Sequence, residues 1–208
     1  MHTRLISVAE LQALQASKNP AVIFDCSFDL AQPAAADALF AQIHIAGSQQ
    51  AHLDRDLSTH DAALAVNGGR HPLPQREAVA AWLGRMGVDN ATQVVVYDRN
   101  GSSFCVRLWW MLKWLGHDAV AVLDGGLQAW QAAGGAVESG PARPVSPREF
   151  VLGEPLRELV DTATVSNRLG HSDQTLVDAR GAPRYRGEVE PLDPVAGHIP
   201  GALNRPFT

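Results

Sequence analysis

A chain of 208 residues, 46% hydrophobic and 19% charged, carries enough apolar side chain for one good core, and its length allows one domain or two small ones. A formal net charge of -5 with a pI near 5.9 and no run of Lys or Arg exclude a protein that grips nucleic acid, which needs a clustered basic face. There is no stretch of about eighteen apolar residues to cross a membrane, the apolar runs of the opening MHTRLISVAELQAL are too short for a signal sequence, and the distant Cys26 and Cys105 make neither a disulfide framework nor a zinc knuckle, so a cytoplasmic protein is expected.

Elements alternate along the chain. Ser7 and Glu10 form a capping box ahead of a short helix, and AVIFD, 21–25, is a buried strand that ends on a carboxylate. The helical pattern REAVAAWLGRMG precedes a second apolar strand, VVVYD, 94–98; SSFCVRLWWMLKWLG then precedes a third, AVAVLD, and each helix closes on a glycine suited to a left-handed cap. Short all-apolar strands spaced by helices predict an α/β fold, a parallel sheet covered on both faces whose ligands sit at the carboxyl ends of the strands, where Asp25 and Asp98 lie. The Gly125-Gly126 pair after the third strand allows a tight turn or close backbone approach.

The texture changes after Trp130. GGAVESGPARPVSPREF is rich in Gly, Pro and Ser and has no periodicity, which predicts a linker. The expected domains are 1–134, a linker over 135–157, and 158–208. Beyond the linker the chain repeats itself: Phe24-Asp25-Cys26-Ser27 lines up with Val177-Asp178-Ala179-Arg180, 153 positions on, and His44-Ile45-Ala46-Gly47 with His198-Ile199-Pro200-Gly201, 154 positions on. Two matches in one order at nearly one offset imply a duplicated domain, and the offset puts the second copy's equivalent of the Asp98 loop near position ~252. The second copy is therefore expected to be partial.

The loop YDRNGSS follows a strand and opens a helix, so unpaired backbone N–H groups at the positive helix end favour a negative charge at its centre. A cysteine at its first position would be an activated thiolate, but the position holds Asp98. Three readings stand: a capping aspartate that accepts the loop's own N–H groups, an aspartyl nucleophile of the phosphatase type, against which Asn100 stands where a second aspartate is wanted, and an anion-binding or interfacial role. Cys105, inside an apolar run, and Cys26, beside Asp25, read as buried hydrophobes. Trp109, Trp110 and Trp114 fall at helical spacing and read as core, while His44 and His198 open the repeated motif and read as braces of a turn. No spacing of His or carboxylates marks a metal site.

Taken together, HIAG at 44–47, YDRNGSS, RLWWMLKWLGHDAVAVLDGGLQAW, VDAR, PRYRGEVEP and GHIPGALNRPF resemble the tandem-domain rhodaneses, the thiosulfate and 3-mercaptopyruvate sulfurtransferases. The resemblance covers nearly all of the chain and implies one complete rhodanese-like domain, a parallel sheet flanked by helices, plus the N-terminal part of a second copy. It implies transfer of sulfane sulfur from a small anionic donor to a thiol or cyanide through a cysteine persulfide, without metal or cofactor. The first copy would be the one without the nucleophile, with Asp98 marking its degenerate loop position. The nucleophilic cysteine would lie beyond residue 208, so none of these residues is catalytic and the chain alone is expected to be inactive. Arg184 in PRYRG matches the family's donor-binding arginine, whose guanidinium fork suits thiosulfate or a carboxylate. Mercaptopyruvate-type members tend to carry another arginine nine positions later, where Asp193 stands here, a departure that favours thiosulfate. The competing expectation is a non-enzymatic interaction module.

Overall fold

The structure is a computed structural model that describes residues 1–207. The chain divides into two compact units, Met1–Glu158 and Leu159–Thr208. In the first, β1 (Leu5–Ile6) and α1 (Val8–Gln15) are followed by β2 (Val22–Asp25), α2 (Ala35–Gln42), β3 (His44–Ile45), β4 (Gln49–Gln50) and α3 (Arg76–Arg85). Next come β5 (Val94–Tyr97), α4 (Cys105–Trp114), β6 (Val120–Leu123), α5 (Gly126–Ala132) and β7 (Val137–Glu138). The second unit holds α6 (Thr162–Asn167), β8 (Val177–Asp178), α7 (Ala182–Tyr185) and β9 (Leu203–Asn204).

Five strands form one sheet in the order β1-β6-β5-β2-β4, all pairs parallel. Its three central strands are apolar but for Asp25 at the end of β2, because both faces are covered, and the period of two sorts their side chains between two cores. Phe24, Val94, Val96, Val120 and Val122 point to a core closed by Leu83 of α3 and by Leu108 and Leu112 of α4. Their neighbours Ile23, Val95, Tyr97, Ala121 and Leu123 point to the opposite core, closed by Leu11 of α1 and by Leu127 and Trp130 of α5. Each such buried aliphatic or aromatic side chain stabilises the fold by roughly 1.5–3 kcal/mol. The helix starts and stops are local: Ser7 Oγ accepts from Glu10 N at 3.3 Å while Glu10 Oε2 accepts from Ser7 N at 2.8 Å, and Gly87 and Gly116 take φ of +78° and +87° beyond α3 and α4.

One expectation needs correction. The helix expected from Ser102 begins at Cys105, because residues 101–104 are spent on a turn with Gly101 and Ser102 both at positive φ, +67° and +66°. The Gly/Pro/Ser-rich stretch 135–157, expected as a linker, lies as a strap along the first unit. Its start pairs antiparallel with β3 through β7, Arg148 N donates to Gly84 O at 2.8 Å, Gly153 N to Leu115 O at 3.0 Å and Leu156 N to Lys113 O at 2.9 Å. Phe150 is buried in the first core. The strap can lie this close because Gly84 and Gly116 lack side chains: a Cβ there would meet Arg148 O at 2.6 Å and Glu154 O at 2.7 Å.

The second unit repeats the local geometry of the first. Pairs Phe24↔Gln49 and Asp25↔Gln50 between β2 and β4 have counterparts Val177↔Leu203 and Asp178↔Asn204 between β8 and β9, also parallel. The bond that follows each pair is kept, Ala51 N to Asp25 O at 2.9 Å and Arg205 N to Asp178 O at 3.0 Å. So is the turn between them, Ser48 N to Ile45 O at 2.9 Å and Ala202 N to Ile199 O at 3.0 Å. His44 stacks on Phe40 and its Nδ1 pairs with Phe40 O at 2.8 Å; His198 stacks on Tyr185 and its Nδ1 pairs with Tyr185 O at 2.7 Å. Both histidines brace the turn that their motif opens.

Candidate functional site

The loop after β5 is built around one carboxylate. Asp98 Oδ1 accepts from Asn100 N and Ser102 N, both at 2.8 Å, and Oδ2 from Phe104 N and Cys105 N, both at 2.9 Å. Two oxygens offer about four lone-pair directions, and all four are taken. Asp98 is 1% exposed. Such a carboxylate has no lone pair with which to attack an electrophile, which removes the aspartyl-nucleophile reading; it is a fixed anion at the mouth of a helix, where the dipole favours it. The left-handed turn at Gly101 and Ser102 aims the successive N–H groups inward. On the other side of the same residue, Leu127 N donates to Asp98 O at 3.2 Å, and Gly126 permits that approach because a Cβ there would stand 2.2 Å from the oxygen.

The neighbouring strand end is tied to this loop by Arg99, a residue that carries no signal in the sequence. Its Nη2 reaches Asp25 Oδ2 at 3.3 Å and Ile43 O at 2.7 Å, and its Nε donates to Ser27 Oγ at 3.0 Å. Asp25 Oδ1 in turn accepts from Ser27 N at 2.8 Å. Sequence reasoning places Asp25 and Asp98 at strand ends; the structure joins those ends through Arg99. Arg107 of α4 acts similarly eight residues on, donating to Leu57 O at 2.7 Å and His71 O at 2.9 Å.

Both cysteines are buried and free. Burial pushes both thiols well above the usual range, with the carboxylates of Asp25 and Asp98 adding to the effect near Cys26 and that of Asp98 near Cys105. Neither is a nucleophile in this fold. Trp114 is core, whereas Trp109 and Trp110 are partly exposed on α4. Among the described residues no group of three or more His, Cys, Asp or Glu is arranged to hold a metal ion, and no helix is long and apolar enough to cross a membrane.

In the second unit the guanidiniums of Arg180 and Arg184 are engaged by carboxylates. Arg184, at the end of α7, forks onto Glu190 with Nε at 3.2 Å and Nη2 at 2.7 Å, and Nη2 also reaches Asp193 at 2.9 Å. Arg180 pairs with Asp178 at 2.6 Å. The Arg184 guanidinium, with the amides of Leu192 and Asp193, holds the Glu190 carboxyl down to about 2. Asp178 is lowered by Arg180.

The family model described as a rhodanese-like domain matches residues 7–133, more than half of the chain. A relative from Pseudomonas aeruginosa named "Probable 3-mercaptopyruvate sulfurtransferase" is 42% identical over 209 residues, covering 100% of this chain and 72% of the relative. The thiosulfate sulfurtransferase of Gallus gallus is 37% identical over 140 residues, which is 65% of this chain and 47% of that protein. The crystal structure of SseA from Escherichia coli, described as a 3-mercaptopyruvate sulfotransferase with the rhodanese fold, superimposes with a TM-score of 0.81 at 29% identity, over 99% of this chain and 75% of that one. With a central parallel sheet, helices on both faces and these relatives, the chain belongs to the rhodanese family of sulfurtransferases.

Proposed function

We propose that this protein moves sulfane sulfur from a small anionic donor to a thiol or cyanide through a cysteine persulfide, with thiosulfate favoured over 3-mercaptopyruvate. A thiolate attacks the outer sulfur of thiosulfate; the S–S bond breaks and sulfite leaves with the bonding pair. Cyanide or a thiolate then takes the outer sulfur of the persulfide, giving thiocyanate or a new persulfide and returning the cysteine thiolate. In this reading the first unit is the copy without a nucleophile and the second is the copy that binds donor through Arg184. One observation carries it: the loop after β5 converges four N–H groups on a single anionic group, the arrangement a sulfur-bearing thiolate needs, and fills that place with Asp98.

Since Cys26 and Cys105 are both buried with raised pKa values, this reading assigns the sulfur-carrying thiol to a residue outside 1–208. Residues 1–208 alone then make no thiocyanate from thiosulfate and cyanide, while a polypeptide continuing through the second copy's loop does. Turnover by residues 1–208 that survives Cys26→Ser and disappears with Cys105→Ser overturns the assignment. Comparing kcat/KM for thiosulfate and 3-mercaptopyruvate on the longer polypeptide decides the donor.

A second reading, a non-enzymatic interaction module, is favoured by the apolar side chains that the second unit presents: Val177 is 58% exposed, Leu203 61% and Ile199 49%. A monomer in sedimentation experiments, with no partner retained, counts against it.

A further inference from the structure

We propose that Asp193 is a built-in competitor for the anion that Arg184 receives, so that donor binding requires this carboxylate to swing away. The inference rests on the reading of Arg184 as the donor-binding residue. A guanidinium has two edges that can fork an anion: the side edge, Nε with one hydrogen of Nη2, and the end edge, Nη1 with the other hydrogen of Nη2. The side edge of Arg184 is filled by Glu190, whose oxygens accept at 3.2 and 2.7 Å. Glu190 is fixed there: its side chain is 5% exposed, its Oε1 also accepts from Leu192 N and Asp193 N, both at 3.0 Å, and its Oε2 lies 3.4 Å from Arg180 Nη1. Only the end edge remains for a ligand.

Asp193 Oδ2 stands on that edge, accepting from Nη2 at 2.9 Å. Its side chain is 44% exposed against 5% for Glu190, so of the two carboxylates it is the one more open to water. An incoming anion can fork Arg184 only where Asp193 now sits, and it meets a like charge until Asp193 leaves. Of the neighbouring guanidiniums, Arg180 is held by Asp178 at 2.6 Å and Arg186 is forked on its side edge by Glu188 at 2.6 and 2.8 Å. Asp193 is thus a residue that sets donor affinity without touching the reacting sulfur.

The test is titration of the 208-residue chain with sodium thiosulfate at constant ionic strength, following the Arg184 Nε–H signal by NMR, with Arg184→Lys to assign it. Asp193→Asn is expected to lower the thiosulfate Kd about two- to fivefold, the span of an exposed charge pair, while Asp193→Glu leaves it near the wild-type value. Equal Kd values in all three proteins overturn the proposal. So does an Asp193→Asn chain whose Arg184 signal does not respond to thiosulfate. Thiocyanate production is not part of this measurement, so a sulfurtransferase reading that fails by turnover leaves the competition at Arg184 standing, and the reverse.

Discussion

Replacing Asp98 with alanine removes the acceptor of four backbone N–H bonds at once. Hydrogen bonds to a charged group contribute about 1.5–3 kcal/mol each, but the four share one carboxylate and are not additive. Three of the donors, on Asn100, Ser102 and Phe104, belong to part-buried bonds that water can partly replace; the fourth, on Cys105, is buried. The net loss expected for Asp98→Ala is about 3–5 kcal/mol, the range for deleting one partner of a buried charged network. Asp98→Asn keeps one oxygen for one pair of donors and aims an NH2 group at the other pair, so its loss is about 2–3 kcal/mol. Urea unfolding followed by tryptophan emission isolates the effect, because Trp82, Trp109, Trp110, Trp114 and Trp130 all lie in the first unit. An Asp98→Ala protein within about 1 kcal/mol of wild type would show that the loop does not depend on its central anion, and the account of this site would fail.

Gly126→Ala places a methyl 2.2 Å from Asp98 O at a residue with φ of +56°; about 1–3 kcal/mol of strain, at about 2–4 °C per kcal/mol for a unit of this size, should lower the melting temperature by about 2–12 °C. A melting curve that does not move refutes the close approach. At pH 8 the native chain should leave a thiol-specific reagent such as DTNB unconsumed, because burial raises both thiols, and both cysteines should react after denaturation; fast native labelling refutes the burial. Glu190 should titrate near 2 by carboxyl NMR, against about 4.3 for an unperturbed glutamate. Its folded pKa is depressed, so the stability it contributes is complete above about pH 4.3 and is lost as pH falls towards 2, and a midpoint near 4.3 contradicts the Arg184 fork.

The parts of the fold legible in the sequence are those fixed by contiguous residues. The runs that become β2, β5 and β6 are apolar on both faces because both faces are buried, and the box at Ser7 and Glu10 closes within four residues. The two-residue strands β1, β3, β4 and β7 are too short for a period to show. Gly, Pro and Ser describe a chain without regular structure, which is true of 139–157, but the strap's attachment to the first unit runs through backbone donors such as those of Arg148 and Gly153 that composition does not record. At the site, Asp98 is visible because strand, loop and helix are adjacent in sequence. Arg99 is not, since its partners Asp25, Ser27 and Ile43 come from distant segments and a lone arginine has no pattern. Arg184 is found by resemblance, but Glu190 and Asp193 belong to a turn whose closure onto the guanidinium only coordinates reveal.

The strand pairings shared by the two units bear on what such a module can lose. Of the four matched positions, 24, 25, 49 and 50, only Asp25 keeps its identity, in Asp178, while Phe24, Gln49 and Gln50 become Val177, Leu203 and Asn204. Register and the carbonyl acceptors persist through those exchanges. At these strand pairs the two units share main-chain geometry and a single carboxylate, which leaves the other paired side chains open to differ between them.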